Sequence, residues 1–247
     1  MPEATRAPQG RRRVPAGIAP TPDWARVESD LDERGYARLP RLLEPAECAA
    51  LAESFDDASR FRASIDMEKH RFGRGCYRYF DNPLPPRVRR LRSRLYSPLS
   101  RIANRWEERL GSDLRYPPRL APFLRRCHEA GQTRPTPLLL HYEQDGYNCL
   151  HQDRYGVIAF PLQVVILLSR PHVDFEGGQL LLTEQRPRMQ SRGEAIELSQ
   201  GEGLVFPNQW RPVQSARGHS RAGIRHGLSR LLAGERYALG IIFHDAK

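Results

Sequence analysis

From Pro137 to the C-terminus the chain is a series of short apolar segments cut apart by Gly and Pro, and that spacing leaves few folds open. Pro137-Leu-Leu-Leu-His-Tyr142 and Tyr147-Asn-Cys-Leu-His151 flank the turn dipeptide Asp145-Gly146, which predicts a hairpin. Val164-Val-Ile-Leu-Leu168, bounded by Pro161 and Pro171, is β-branched and apolar enough for a buried strand. Further strands are predicted over 179–183 after Gly177-Gly178, over 194–198, over 203–207, over 221–225 running into His226, and over 235–243. Such a set of short strands predicts an α+β protein with a double-stranded β-helix, or jelly roll, at its core. The core is assigned to residues 136–244.

The amino-terminal half reads differently. Residues 1–22 contain five prolines and four arginines and little that could pack, so a disordered tail is expected. Residues 24–34 are patterned as a helix that stops at Gly35, and residues 36–40 as a short strand. Glu44-Pro-Ala-Glu47 opens a second helix. Residues 87–110 form one long helix or two meeting at Ser97-Pro98. The expectation is a single domain over 23–247, with a helical support over 23–130 and loops around 71–80 covering the mouth of the barrel.

The chemistry of the core centres on His151-Gln152-Asp153. Alone, the tripeptide is weak, since a polar pair at a strand end serves many purposes. In extended backbone, however, His151 and Asp153 point the same way while Gln152 faces elsewhere. Two imidazoles and one carboxylate form the ligand set of a mononuclear non-haem Fe(II) centre, leaving coordination positions for a co-substrate and dioxygen. A second histidine must come from a late strand. His219 sits among Gly218, Ser220 and Gly223 in an expected loop, His244 lies past the last strand, and His141 faces away from Tyr142. His226 remains as the third metal ligand and, with His151 and Asp153, makes up the expected catalytic set.

Ten residues beyond His226 stands Arg236, whose planar fork grips a carboxylate in two places. Alternation puts Arg236, Ala238, Gly240 and Ile242 on one face of the final strand, and Tyr237, Leu239, Ile241 and Phe243 on the other. Small residues beneath an arginine leave room for a dicarboxylate such as 2-oxoglutarate. The bland alternative is that Ala238 and Gly240 merely fit a crowded interior.

Net charge is +10, yet of the 39 basic residues only Lys69 and Lys247 are lysine, so a GC-rich genome explains much of the arginine. Distribution says more. Residues 87–126 hold 12 arginines against Glu107, Glu108 and Asp113. Arg101, Arg105 and Arg109 align on helical spacing as a basic stripe, the footprint of a nucleic-acid partner or else a solvated helix face. A mean hydropathy of −0.63 and the lack of an 18-residue apolar run predict no membrane span. Cys48, Cys76, Cys127 and Cys149 lack CxxC spacing and read as reduced thiols in a cytoplasmic protein.

The motifs Leu150-His-Gln-Asp153, Phe175-Glu-Gly-Gly178, Gly203-Leu-Val-Phe206 and His226 with Arg236 resemble Fe(II)/2-oxoglutarate dioxygenases of the AlkB and prolyl-hydroxylase type. Longer blocks narrow this. Asn148-Cys-Leu-His-Gln-Asp153, Phe160-Pro-Leu-Gln163, Thr183-Glu-Gln-Arg-Pro-Arg-Met-Gln190 and Gly240-Ile-Ile-Phe-His-Asp245 are similar to the bacterial Oxygenase-NA family, over roughly residues 30–247. The resemblance implies an oxidoreductase that binds Fe(II) at His151, Asp153 and His226 and consumes 2-oxoglutarate and O2. Arg236 would hold the co-substrate, and Tyr142, nine residues before His151, matches a tyrosine that touches it in AlkB-type enzymes. The expected reaction is hydroxylation or demethylation, of a nucleic-acid base or alternatively of a protein side chain or small molecule. The Arg-x-Ser pattern of some relatives is absent, because Arg236 is followed by Tyr237 and Ala238.

Overall fold

The protein is described by a computed structural model covering residues 21–153, 156–216 and 218–247. Nearly all of the expected tail, residues 1–20, lies outside the described residues. Four helices appear among them: α1 (Trp24–Arg34), α2 (Pro45–Glu53), α3 (Pro86–Arg109) and α4 (Leu120–Glu129). The strands of the first half are β1 (Ala37–Leu39), β2 (Phe61–Asp66), β3 (Gly73–Arg74) and β4 (Cys76–Phe80). Then come β5 (Leu138–Tyr142), β6 (Tyr147–His151), β7 (Leu162–Leu167), β8 (Phe175–Gly177), β9 (Leu180–Gln185) and β10 (Arg192–Ile196). The chain closes with β11 (Gly203–Pro207), β12 (Trp210–Ser215), β13 (Gly218–Leu228), β14 (Leu231–Gly234) and β15 (Arg236–Ile241).

Two antiparallel sheets face each other. The major sheet runs β1-β11-β7-β15-β5-β4-β2, and the minor sheet β10-β9-β13-β6-β3 with β12 alongside β13. The last strand shows why they stack. Leu239, Ile241 and Phe243 enter the cluster that buries α1–α4 against the outer face of the major sheet, whereas Ala238 enters the cluster between the sheets. The alternation read from the sequence is therefore the alternation of the barrel wall.

Three expectations are corrected. The segments around Asp145-Gly146 are not a hairpin: β5 belongs to the major sheet and β6 to the minor one. Both edges of β5 are already taken, by β15 and by β4, so its sequence neighbour has to cross to the other sheet. Residues 73–80 are not covering loops but strands β3 and β4, which extend both sheets. His219 is not in a loop; it stands in β13 opposite Gln214. The β12–β13 hairpin that holds it lacks the Asn-Gly or Asp-Gly signal by which two-residue turns are read. Helix α3 is continuous through Pro98.

Two buried arginines join the layers. Arg92 lies within α3, donates to the Ile242 and Phe243 carbonyls at 2.9 Å each, and pairs with Asp245 at 2.7 Å. Removing one partner of so buried a pair costs about 3–5 kcal/mol, because the other charge is left without water or counter-ion. Arg211 of β12 pairs with Glu184 of β9 and donates to the carbonyls of Asp32 and Glu33 at the end of α1. Those carbonyls have no partners within the helix. Gly35 ends α1 at φ +83°, and a Cβ there would meet Arg211 Nε at 3.0 Å.

Candidate active site

β6 and β13 lie side by side with His151 directly opposite His226, and their rings sit 4.2 Å apart. β6 ends at His151, so Asp153 stands two residues beyond the ladder yet still turns its carboxylate back to the histidines. His151 Nε2 is 3.6 Å from Asp153 Oδ1, and His226 Nε2 is 3.2 Å from Asp153 Oδ2. One ligand atom from each residue lies within 4.8 Å of the others, the only such His/Cys/Asp/Glu group among the described residues.

The donor set fits a divalent iron. His151 Nδ1 sits 2.8 Å from the Cys149 carbonyl and can only donate to it. That contact puts the ring proton on Nδ1 and leaves the Nε2 lone pair facing the triad, the arrangement metal-ligating histidines take. Burial, then the neighbouring His226, hold the His151 pKa below its ordinary value and keep the ring neutral. For Asp153, burial opposes ionisation, but the facing His226 and His151 and the Gln163 amide more than offset it, so its pKa lies well below the usual carboxylate range.

Arg236 lines the same cavity, which encloses about 590 Å³ and also takes in Tyr142, Ala238, Gly240 and Ile242. The arginine is 3% exposed, its Nε has no hydrogen-bond partner, and no carboxylate forms an ion pair with it among the described residues. Burial drags its pKa down to about 10. A buried, unpaired guanidinium is costly unless an anion completes it. Tyr142 is its cross-strand neighbour, with a hydroxyl pushed up to about 12 by burial and hydrogen-bonded to Asn148. The Gly-Gly motif explains itself here: Gly178 has φ +59°, and a Cβ would meet Leu231 at 2.3 Å and Arg236 Cδ at 3.2 Å.

Three glutamines around Asp153 were missed as site residues. Gln163 Nε2 donates to Asp153 Oδ2 at 2.7 Å, and Gln209 Nε2 donates to the Asp153 carbonyl at 2.9 Å. Gln152 lines the same cavity, and its amide ties the Gln209 and Ile224 carbonyls, each at 2.9 Å. Gln163 had a visible signal, as the one polar residue in the fully buried strand β7. Gln163→Leu is expected to weaken binding of Co(II), an oxygen-stable stand-in for Fe(II), about 10–100-fold, the usual cost of losing a partner that orients a ligand. Isothermal titration checks this, and an unchanged affinity would show that Asp153 needs no such support.

The basic stripe on α3 is not free. Arg105 pairs with Glu28, and Arg109 with Asp32 at 2.7 Å, so both are spent on docking α1. Trp106 Nε1 joins them by donating to Asp32 at 2.9 Å. Arg101 alone of the three stays exposed. Partners more than 70 residues earlier in the chain are invisible to helical spacing.

A jelly roll with a two-histidine, one-carboxylate cluster and a buried arginine in one cavity defines the class of Fe(II)/2-oxoglutarate oxygenases. Solved structures share the fold. A 2OG-Fe(II) oxygenase-family oxidoreductase from Burkholderia pseudomallei aligns with TM-score 0.50 and 16% identity, over 92% of this chain and 93% of that one. A Trichoplax adhaerens prolyl hydroxylase, in complex with a hypoxia inducible factor peptide, aligns with TM-score 0.54 and 16% identity over 90% and 89%. In sequence, the uncharacterised Mycobacterium tuberculosis protein Rv2227 is 52% identical over 167 residues, 68% of this chain and 72% of that protein. Residues 75–246 match the Oxygenase-NA profile, described as "Oxygenase, catalysing oxidative methylation of damaged DNA", and the chain belongs to that family. It is accordingly an oxidoreductase that uses Fe(II), with 2-oxoglutarate and O2 as co-substrates. No helix among the described residues is long and apolar enough to cross a membrane.

Proposed function

We propose that this oxygenase hydroxylates a group on nucleic acid, with His151, Asp153 and His226 holding Fe(II) and Arg236 gripping the distal carboxylate of 2-oxoglutarate. The observation that carries the site is the unpaired guanidinium buried in the same cavity as the triad. Bound iron and co-substrate supply the oxidation, in which 2-oxoglutarate loses CO2 to give succinate and one oxygen atom reaches the substrate. The protein's part is placement. Gln163 and Gln209 hold Asp153, the Cys149 carbonyl sets the tautomer of His151, and the walls from Leu138, Leu140 and Val165 exclude water. Tyr142, with Asn148 beside it, offers a hydroxyl next to Arg236 and so a second hydrogen bond for the carboxylate that the guanidinium grips.

The family's description supports a nucleic-acid substrate, and so does the mouth. Arg71 and Phe72 line the cavity, and Phe72 is 46% exposed, which puts this part of the lining at the opening. Where the target atom is a methyl on a base, hydroxylation is followed by loss of formaldehyde, and a paired base must first leave its stack. The test is succinate release. Methylated single-stranded DNA is expected to stimulate 2-oxoglutarate turnover above the rate without substrate. Stimulation by a peptide or metabolite and by no nucleic acid would replace the DNA reading with the alternative.

A further inference from the structure

We propose that the outward face of β12 and β13 is a landing surface for single-stranded DNA, built on Trp210 between Arg221 and Arg225. This rests on the nucleic-acid reading above, but moves the contact away from α3.

The geometry starts from alternation in β13. Ala222, Ile224 and His226 point into the barrel and are buried, whereas Arg221 and Arg225 point out and are exposed. Gly223, between the two arginines, is the cross-strand partner of Trp210. A Cβ at Gly223 would lie 3.2 Å from the Trp210 ring, so the indole is laid over the bare glycine. It remains 42% exposed, although a tryptophan on a folded domain usually finds cover. The two arginines are four residues apart on one strand, roughly 13 Å, with the aromatic ring between them.

Charge identifies the occupant. Neither arginine forms an ion pair among the described residues, in contrast to Arg105 and Arg109 on α3. No Asp or Glu stands at an outward position of β9, β12 or β13; Glu184 points inward to Arg211. A cationic face without carboxylates, with an aromatic ring at its centre, has the chemistry of a surface that stacks a base and takes the flanking phosphates. Its place in the fold ties it to the reaction. Gln209, the residue before Trp210, donates to the Asp153 carbonyl, and Gln152 donates to the carbonyl of Ile224, the residue after Gly223. A strand held there lies one residue along the chain from the side chains that hold the iron ligand.

Anisotropy of a short labelled single-stranded oligodeoxynucleotide tests the proposal on the full chain. Trp210→Ala is expected to weaken binding roughly tenfold or more, and Trp210→Phe, which keeps a stacking ring, to stay near wild type. Arg221→Gln with Arg225→Gln is expected to flatten the log–log salt dependence by about 0.7 for each phosphate no longer neutralised. Arg101→Gln with Arg125→Gln removes the same charge from the helical side and should leave that slope in place. In turnover, Trp210→Ala is expected to raise the DNA concentration for half-maximal succinate release while leaving the maximal rate alone. Wild-type binding by Trp210→Ala, equal losses in its Ala and Phe variants, or equal slopes from the two arginine pairs would each overturn the surface. So would binding of poly-glutamate as tight as that of DNA. If DNA instead fails to stimulate the wild-type enzyme at all, the nucleic-acid reading itself falls.

Discussion

Asp153→Ala is expected to abolish metal binding and reduce succinate formation to background. Asp153 is the only anionic member of the triad, and both histidine Nε2 atoms face its two oxygens. Without it, a divalent ion would meet two neutral imidazoles and a gap, with one ligand fewer and no anionic donor to offset its charge. Because the facing histidines and the Gln163 amide more than offset the burial that opposes ionisation of Asp153, its removal should also cost the metal-free protein some stability, so thermal unfolding without metal is the control for folding. His226→Ala is expected to behave alike, whereas turnover at the wild-type rate in that variant would show that another residue completes the triad. Co(II) titration followed by its visible absorption, with succinate measured in parallel, separates loss of the ion from loss of chemistry.

Arg236→Leu should leave metal binding intact and weaken 2-oxoglutarate binding by about 2–5 kcal/mol, a rise in Kd of roughly 30-fold to several thousand-fold. The size follows from burial: at 3% exposure the guanidinium and its carboxylate meet without water between them, unlike a surface pair. Arg236→Lys should recover only part, since the ammonium lacks the two-point fork. The same Arg236→Leu substitution makes a less obvious prediction for the protein alone. Arg236 has no counter-ion among the described residues, so leucine there should leave the ligand-free stability unchanged or raise it, because an uncompensated buried charge is removed. An unchanged 2-oxoglutarate affinity in Arg236→Leu would place the clamp on another basic residue.

The site was legible because its signals are local. The spacing in His151-Gln152-Asp153, the Arg236-Ala238-Gly240-Ile242 face and the strand punctuation all lie within a few residues of one another. Each follows from the two-residue period of extended backbone, which holds wherever the strand ends up. His226 and His219 lie in the same strand, so strand membership does not separate them. Odd and even positions of β13 face opposite ways, and only the even one reaches the cavity.

What failed was long-range. The Asp145-Gly146 turn looked like a hairpin because a turn dipeptide says that the chain reverses, not which sheet receives the second strand. Helical spacing carried no sign that Arg105 and Arg109 of the α3 stripe pair with Glu28 and Asp32, which sit in a helix much earlier in the chain. Likewise, nothing in the spacing of Trp210, Arg221 and Arg225 joins them until β12 and β13 pair and Gly223 leaves room for the indole.

The sequence by itself determined the kind of fold, the candidate metal triad and the arginine expected beside it, since each depends on the period of a strand and the chemistry of side chains a few positions apart. Only the tertiary structure decided which charges are spent and which are free. Whether a guanidinium meets a carboxylate, a carbonyl or open solvent depends on residues brought together from distant parts of the chain. That is why Arg92 and Arg211 are buried struts, Arg105 and Arg109 dock a helix, Arg236 is buried without a counter-ion among the described residues, and Arg221 and Arg225 face outward unpaired among them.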